Sequence, residues 1–140
     1  MKKIISTGVV LVVLAGAWFG FQKLQNSSKP YVDRGVEIQD IKVGNGSEAV
    51  DSTLITVHYT GRLMDGKIFD RSLERGQPFT FKLGSGQVIA GWEQGIKGMK
   101  VGGIRQLKIP SALGYGHRGS PPAIPPDSDL MFEVELLDVK

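Results

Sequence analysis

The sequence predicts an antiparallel α+β domain of five strands and one short helix. Three observations carry that expectation. Four stretches alternate apolar and polar residues with period two, the mark of strands that bury one face. One stretch carries apolar residues at helical spacing. The strand patterns are not interleaved with helices in the βαβ order that a parallel sheet requires.

Residues 36–43 give the weakest strand pattern. Its apolar spacing slips between Ile38 and Ile41, which predicts a bulge or bend. In residues 53–63, Ile55, Val57, Tyr59 and Leu63 share one face, with Thr56, His58, Thr60 and Arg62 opposite. Asp65-Gly66 follows as a turn signal. In residues 79–83, Phe79, Phe81 and Leu83 face one way and Thr80 and Lys82 the other. Ile89, Trp92, Ile96 and Met99 then fall at i, i+3, i+7 and i+10, one stripe of a helix. Gly91 and Gly95 each weaken that helix by about 1 kcal/mol relative to alanine. It must therefore be held by packing against the sheet. Gly98 is its expected C-terminal cap. In residues 103–109, Arg105, Leu107 and Ile109 share a face against Ile104, Gln106 and Lys108. Leu130, Phe132, Val134 and Leu136 alternate with Met131, Glu133 and Glu135 in the last strand.

Charge divides the chain. Residues 1–30 hold Lys2, Lys3, Lys23 and Lys29 and no acid, whereas residues 31–140 hold thirteen basic and fourteen acidic side chains. The domain has no basic excess to neutralise phosphates, which removes the main argument for a nucleic-acid partner. Residues 4–21 carry no charge and form an eighteen-residue apolar run behind Lys2 and Lys3. Two readings fit. In the first, residues 1–21 are a signal peptide, with Ala15-Gly16-Ala17 matching the small-x-small cleavage pattern. In the second they are a membrane anchor: as a helix, the run spans ~27 Å, near the ~30 Å hydrocarbon core. Cleavage after Ala17 would leave Trp18-Phe19-Gly20-Phe21 as an exposed N-terminus, which favours the anchor. Either way the domain is expected to be exported, facing the periplasm or exterior. Residues 22–33 then read as a linker and residues 34–140 as the domain.

Much ordinary chemistry is missing. There is no cysteine, so thiolate nucleophiles, disulfides and cysteine metal sites are excluded. Histidine occurs only at 58 and 117, too few for a metal site or a nucleophilic triad. His58 falls on an outward strand face and His117 in a glycine-rich loop. Gly84-Ser85-Gly86 resembles the start of a dinucleotide fingerprint but lacks the third glycine and the βαβ unit. What the domain does have is a set of aromatics on inward faces: Tyr59, Phe79, Phe81, Trp92 and Phe132. Such a set serves as a core, and a concave surface lined with aromatics also suits proline.

Several motifs, in order, resemble the FKBP-type (immunophilin) peptidyl-prolyl cis-trans isomerases. They are Val57-His58-Tyr59-Thr60-Gly61, Gly66-Lys67-Ile68-Phe69-Asp70-Arg71-Ser72 and Pro78-Phe79-Thr80-Phe81-Lys82-Leu83-Gly84. Gln87-Val88-Ile89-Ala90-Gly91-Trp92-Glu93-Gln94-Gly95, Gly98-Met99-Lys100-Val101-Gly102, Leu113-Gly114-Tyr115-Gly116 and Ile124-Pro125-Pro126 continue the match. The resemblance implies a five-stranded antiparallel half-barrel sheet wrapped around one short helix. It implies isomerisation of the bond before proline, with no cofactor and no metal. The catalytic positions it implies are Tyr59, Phe69, Asp70, Trp92 and Tyr115. Substrate-binding positions would be Phe79, Phe81, Val88, Ile89, Ile124 and Phe132. The proline ring would rest on Trp92, the Ile89 amide and the Tyr115 hydroxyl would donate to carbonyls, and residues 115–126 would be a mobile flap. Asp70, with Tyr59 or Arg75 nearby as a partner, is expected to stay ionised. Ser120 and Ala123 depart from the larger side chains that relatives often carry. The implied partners are proline-containing polypeptides, macrolide ligands of the rapamycin type and, if residues 4–21 are uncleaved, a membrane.

The N-terminal reading generates its own test. Mass spectrometry of the mature chain should find Met1 or its processed equivalent in the membrane fraction. A mature start at Trp18 would instead identify a cleaved signal, and intact chain in the soluble cytoplasmic fraction would end the export reading.

Overall fold

The computed structural model describes residues 28–140, so the signal and anchor readings placed on residues 1–21 lie outside the described residues. Among the described residues no helix is long and apolar enough to cross a membrane. The strands are β1 (Tyr31–Asp33), β2 (Val36–Lys42), β3 (Leu54–Leu63), β4 (Ile68–Arg71), β5 (Phe79–Lys82), β6 (Ile104–Ile109) and β7 (Leu130–Val139). Among the described residues one α-helix, α1 (Ala90–Ile96), and two 3-10 turns, Ser72–Arg75 and Ser111–Leu113, complete the elements. All strand pairs are antiparallel, in the order β1-β2-β6-β7-β3-β4, with β5 also paired to β3.

The sheet has seven strands rather than the five expected. The two additions are short. β1 has three residues and lies inside the stretch read as linker; it folds back on β2 through Arg34-Gly35, whose φ angles of 48° and 96° make the two-residue turn that suits a hairpin. β4 has four residues, and its register against β3 shifts between Gly61 and Arg62, so no clean alternation marks it. β4 and β5 run along the same edge of β3, one beside each half, with the 3-10 turn Ser72–Arg75 between them.

The alternations place the core as expected. Ile55, Val57, Leu107, Ile109, Val134 and Leu136 are fully buried on one face of the sheet. The bulge expected in the first of the predicted strands is present, with the β2–β6 register shifting between Asp40 and Lys42. The Asp65-Gly66 turn is closed by the Gly66 N–H to the Leu63 carbonyl at 2.9 Å and capped by Asp65 Oδ1 on the Lys67 N–H at 2.9 Å.

Helix α1 crosses this face. Trp92, Ile96 and Met99 of the predicted stripe are buried. Its glycines have a definite role: a Cβ on Gly91 would stand 2.5 Å from Ile109 Cγ2, and one on Gly95 would stand 2.8 Å from Leu107 Cδ1. The helix backbone therefore rests directly on β6. Its C-terminal end is held by Arg105, which is 6% exposed. Arg105 Nη1 donates to the Gly95 and Lys97 carbonyls at 2.9 and 3.1 Å, and Nε donates to Asp40 Oδ1 at 2.7 Å. A buried guanidinium is tolerated because an ion pair and two helix-end carbonyls replace its water. Gly98, just past the helix with φ of 93°, turns the chain back toward β6.

Two effects oppose each other at Gly91. Alanine improves helix propensity by about 1 kcal/mol, but its methyl would overlap Ile109, and overpacking a filled core costs about 1–3 kcal/mol. Ile109 is fully buried and β-branched, so it has little room to yield. Urea unfolding should show Gly91→Ala less stable than the parent chain. A stabilised variant would mean that the helix can lift off the sheet at little cost.

Candidate functional site

A cavity of about 380 Å³ opens between α1 and the concave side of the sheet. Its walls are Tyr59, Phe69, Asp70, Phe79, Gln87, Val88, Ile89, Trp92, Tyr115 and Phe132. Nine of these ten were singled out in the sequence, and six separate segments supply them; Gln87 was not. Phe81 and Ile124, 2% and 4% exposed, stand behind the lining in the core.

Trp92 forms the floor because α1 lies so close to β6. Its indole meets Tyr59 edge-on, with ring centroids 4.9 Å apart and planes at 81°, and meets Phe132 at 5.3 Å and 83°. Phe81 packs 5.7 Å from it on the buried side, stacked on Phe79. Phe69 meets Phe132 edge-on at 5.6 Å. Gly61 makes that last contact possible: a Cβ there would stand 2.7 Å from Phe69 Cζ and 2.8 Å from Phe132 Cε1. The need for glycine in the Tyr59-Thr60-Gly61 run becomes visible only once β3, β4 and β7 are paired.

One carboxylate lines the cavity, and it is fully engaged. The Tyr59 hydroxyl donates to Asp70 Oδ2 at 2.5 Å, and Arg75 Nη1 donates to Asp70 Oδ1 at 2.5 Å. Arg75 Nη2 also donates to the Tyr59 hydroxyl at 2.8 Å, and its guanidinium lies 5.7 Å from the centre of the Tyr59 ring. The 3-10 turn brings Arg75 there. It is pinned by the fully buried Ser72, whose Oγ accepts the Tyr59 N–H at 2.8 Å. The same hydroxyl lies 2.8 Å from His58 Nδ1, so His58 is a part-buried brace on the outer face rather than a free surface side chain.

Electrostatics follow from these contacts. Burial pushes the Asp70 carboxyl up, but hydrogen bonds from Tyr59 and Arg75 and the charge of Arg75 outweigh it, leaving its pKa below the ordinary value of 3.8. Burial raises Tyr59 above its ordinary 10.0, and its hydrogen bond to Asp70 adds to the rise. Burial also raises Tyr115, with the Asp70 charge as a second cause. At neutral pH the cavity thus holds one paired carboxylate and two neutral phenols. Donors in its wall remain unused: among the described residues the Ile89 N–H, the Tyr115 hydroxyl and the buried Trp92 Nε1–H have no hydrogen-bond partner.

Residues 115–127 close as a loop beside the cavity. Ser120 and Ile124 exchange both backbone hydrogen bonds, at 2.8 and 2.9 Å, and the Asp127 N–H donates to the Gly116 carbonyl at 2.9 Å. Ile124 plugs the loop into the core, while His117 and Asp127 pair at 2.5 Å on the solvent side. His117 is 95% exposed and does not line the cavity.

Comparison with known proteins assigns the family. The sequence profile described as "FKBP-type peptidyl-prolyl cis-trans isomerase" matches residues 45–137. The chain belongs to this family. It is 58% identical over 102 residues to an FK506-binding protein of Neisseria meningitidis serogroup A, covering 73% of this chain and 94% of that one. It is 61% identical over 85 residues to the peptidyl-prolyl cis-trans isomerase FKBP15-2 of Arabidopsis thaliana, covering 61% of this chain and 52% of that one. The crystal structure of AtFKBP13 superposes with a TM-score of 0.75 at 42% identity, covering 81% of this chain and all of that one. The chain is accordingly a peptidyl-prolyl cis-trans isomerase with the antiparallel sheet and single helix of this family.

Two substitutions separate packing from polarity at this site. Trp92→Ala should lower stability by about 3–5 kcal/mol in urea unfolding, as for other buried aromatics. Asp70→Asn should instead alter the acid limb. Because the folded pKa of Asp70 lies below 3.8, its ionised form stabilises the fold above that value and loses the effect as pH falls through the folded value. A plot of Tm against pH should therefore fall less steeply below about pH 4 in Asp70→Asn than in the parent chain. Superimposable acid limbs would show that the Tyr59–Asp70–Arg75 contacts add nothing to folding.

Proposed function

We propose that this isomerase accelerates rotation about the bond before proline in exported or unfolded polypeptides by desolvation and positioning, without covalent or acid–base chemistry. The cavity wall carries the reading: an aromatic enclosure with unused donors, whose one carboxylate is paired and ionised. The proline ring rests on Trp92 between Tyr59, Phe79, Val88, Ile89 and Phe132. Phe69 and Asp70 flank the turning carbonyl.

The physics favours such a site. Peptide rotation meets a barrier of ~18–20 kcal/mol because twisting breaks amide resonance. Resonance puts negative charge on the carbonyl oxygen and positive charge on nitrogen in the planar ground state. The twisted state loses that separation, so an apolar enclosure disfavours the plane more than the twist. The Ile89 N–H holds a neighbouring carbonyl and keeps the peptide bound in register, and the Tyr115 hydroxyl donates to a second carbonyl. No proton moves. Macrolides of the rapamycin type are the expected competing ligands, because their rigid apolar rings can fill the same enclosure.

The first test is a prolyl-isomerisation assay on the full chain with and without such a macrolide. Turnover that the macrolide abolishes is expected; binding of proline peptides without turnover would make the cavity a chaperone groove. The second is the pH profile. With Asp70 ionised well below neutrality and both phenols neutral to above pH 10, kcat/KM should be flat between about pH 6 and 8.5. His117→Gln is the control, since that imidazole belongs to the loop beside the cavity and pairs with Asp127. A limb that persists in His117→Gln would put a titrating group in the chemistry and end the desolvation account. Tyr115→Phe should lower turnover while leaving the flat profile intact.

A further inference from the structure

One wall of the cavity is tied to its floor by a side chain that does not line it. The loop of residues 84–88 leads from β5 to α1 and carries Gln87 and Val88, with Ile89 as the N-cap of the helix. No side chain caps this helix start. Glu93, next to Trp92, reaches the loop instead: its Oε1 accepts the Gly84 N–H at 2.5 Å and its Oε2 the Gly86 N–H at 2.8 Å. Gly84 and Gly86 have φ angles of 84° and 80°, a conformation that glycine reaches without strain. The other side-chain ties of this loop run to β5: the Lys82 N–H donates to Gln87 Oε1 at 3.0 Å, and Ser85 Oγ donates to the Lys82 carbonyl at 2.7 Å. Glu93 thus joins the loop to the helix that carries the floor.

We propose that Glu93 is a positioning residue of the isomerase site. Its carboxylate sets the spacing between the Trp92 floor and the Val88–Ile89 wall, and with it the place where the Ile89 N–H meets a substrate carbonyl. The proposal rests on the reading of the cavity given above. A carboxylate shared by two amides makes charge-assisted hydrogen bonds, stronger and shorter than neutral ones. Such a tie suits a loop with two glycines, which would otherwise sample many conformations. Displacing a positioning group by about 1 Å is enough to cost a large factor in kcat/KM. The carbonyl held by Ile89 lies beside the rotating bond and keeps its charge during rotation. Loss of that contact should therefore weaken ground state and transition state alike, raising KM with little change in kcat.

The experiment uses the full chain with Glu93→Gln and Glu93→Ala. Glu93→Gln keeps the volume but turns one acceptor into a donor that faces an N–H. KM, kcat and affinity for a rapamycin-type macrolide are measured well below the Tm of each variant, alongside amide exchange at Gly84, Gly86 and Ile89. Expected are a KM increase of roughly tenfold, an equal loss of macrolide affinity, kcat within about twofold of the parent and faster exchange at Gly84 and Gly86. A lower Tm with unchanged KM and macrolide affinity would overturn the proposal and leave Glu93 as a stabilising contact alone. If the parent chain neither isomerises nor binds the macrolide, the reading of the cavity fails and the positioning role fails with it. A parent active in both assays, with variants that match it, removes only the positioning role.

Discussion

The fold depends on how closely one short helix approaches one strand. At Gly91 and Gly95 no side chain separates the backbone of α1 from Ile109 and Leu107 of β6. Seven helical residues cannot hold themselves together in water, because so short a segment barely repays its own nucleation. This helix exists because the sheet receives it and because Arg105, itself paired with Asp40, binds its C-terminal end. The close approach also places Trp92. A helix held further out would lift the indole from Tyr59 and Phe132, and the concave face would carry a wider gap instead of a cavity with a floor.

The cavity is apolar in a particular way. It contains a carboxylate, yet Asp70 is bound by Arg75 and by the Tyr59 hydroxyl, while Arg75 grips both partners. The network stiffens the wall and holds Asp70 ionised, so the carboxylate is a poor proton acceptor. The Ile89 N–H and the Tyr115 hydroxyl remain as directional groups. In the mechanism proposed, this division is what the reaction needs. Rotation about an amide requires neither acid nor nucleophile, only surroundings in which the polar planar state loses its advantage and the chain on either side is held.

In the proposed mechanism, stability and activity draw on overlapping residues. Trp92, Tyr59 and Phe132 are buried and belong to the continuous core while also facing the cavity. Phe79 and Tyr115, more than a third exposed, face the cavity from its rim. Substitutions at the floor thus disturb folding and binding together, whereas those at the rim act on binding with less effect on the core.

The sequence by itself determined which faces are buried. Period-two alternation in β3, β5, β6 and β7 and the stripe Trp92–Ile96–Met99 were legible because burying one face of an element leaves a local pattern. The slipped spacing of β2 likewise announced its bulge. β1 and β4 were not legible: three and four residues are too few to establish a period, and their pairing is imposed by Gly35 and by a register shift in β3. The aromatic set was visible as inward-facing residues, and family resemblance grouped it into a site; Arg75 could be anticipated as a partner of Asp70. Only the tertiary structure decided that Arg75 bonds Tyr59 as well, that Phe81 and Ile124 back the cavity rather than line it, and that Gly61, Gln87 and Glu93 belong to its making. Those roles depend on a ring packed over a missing Cβ, or on a side chain bonding a loop in another element. Such contacts join residues through space and leave no periodic trace along the chain.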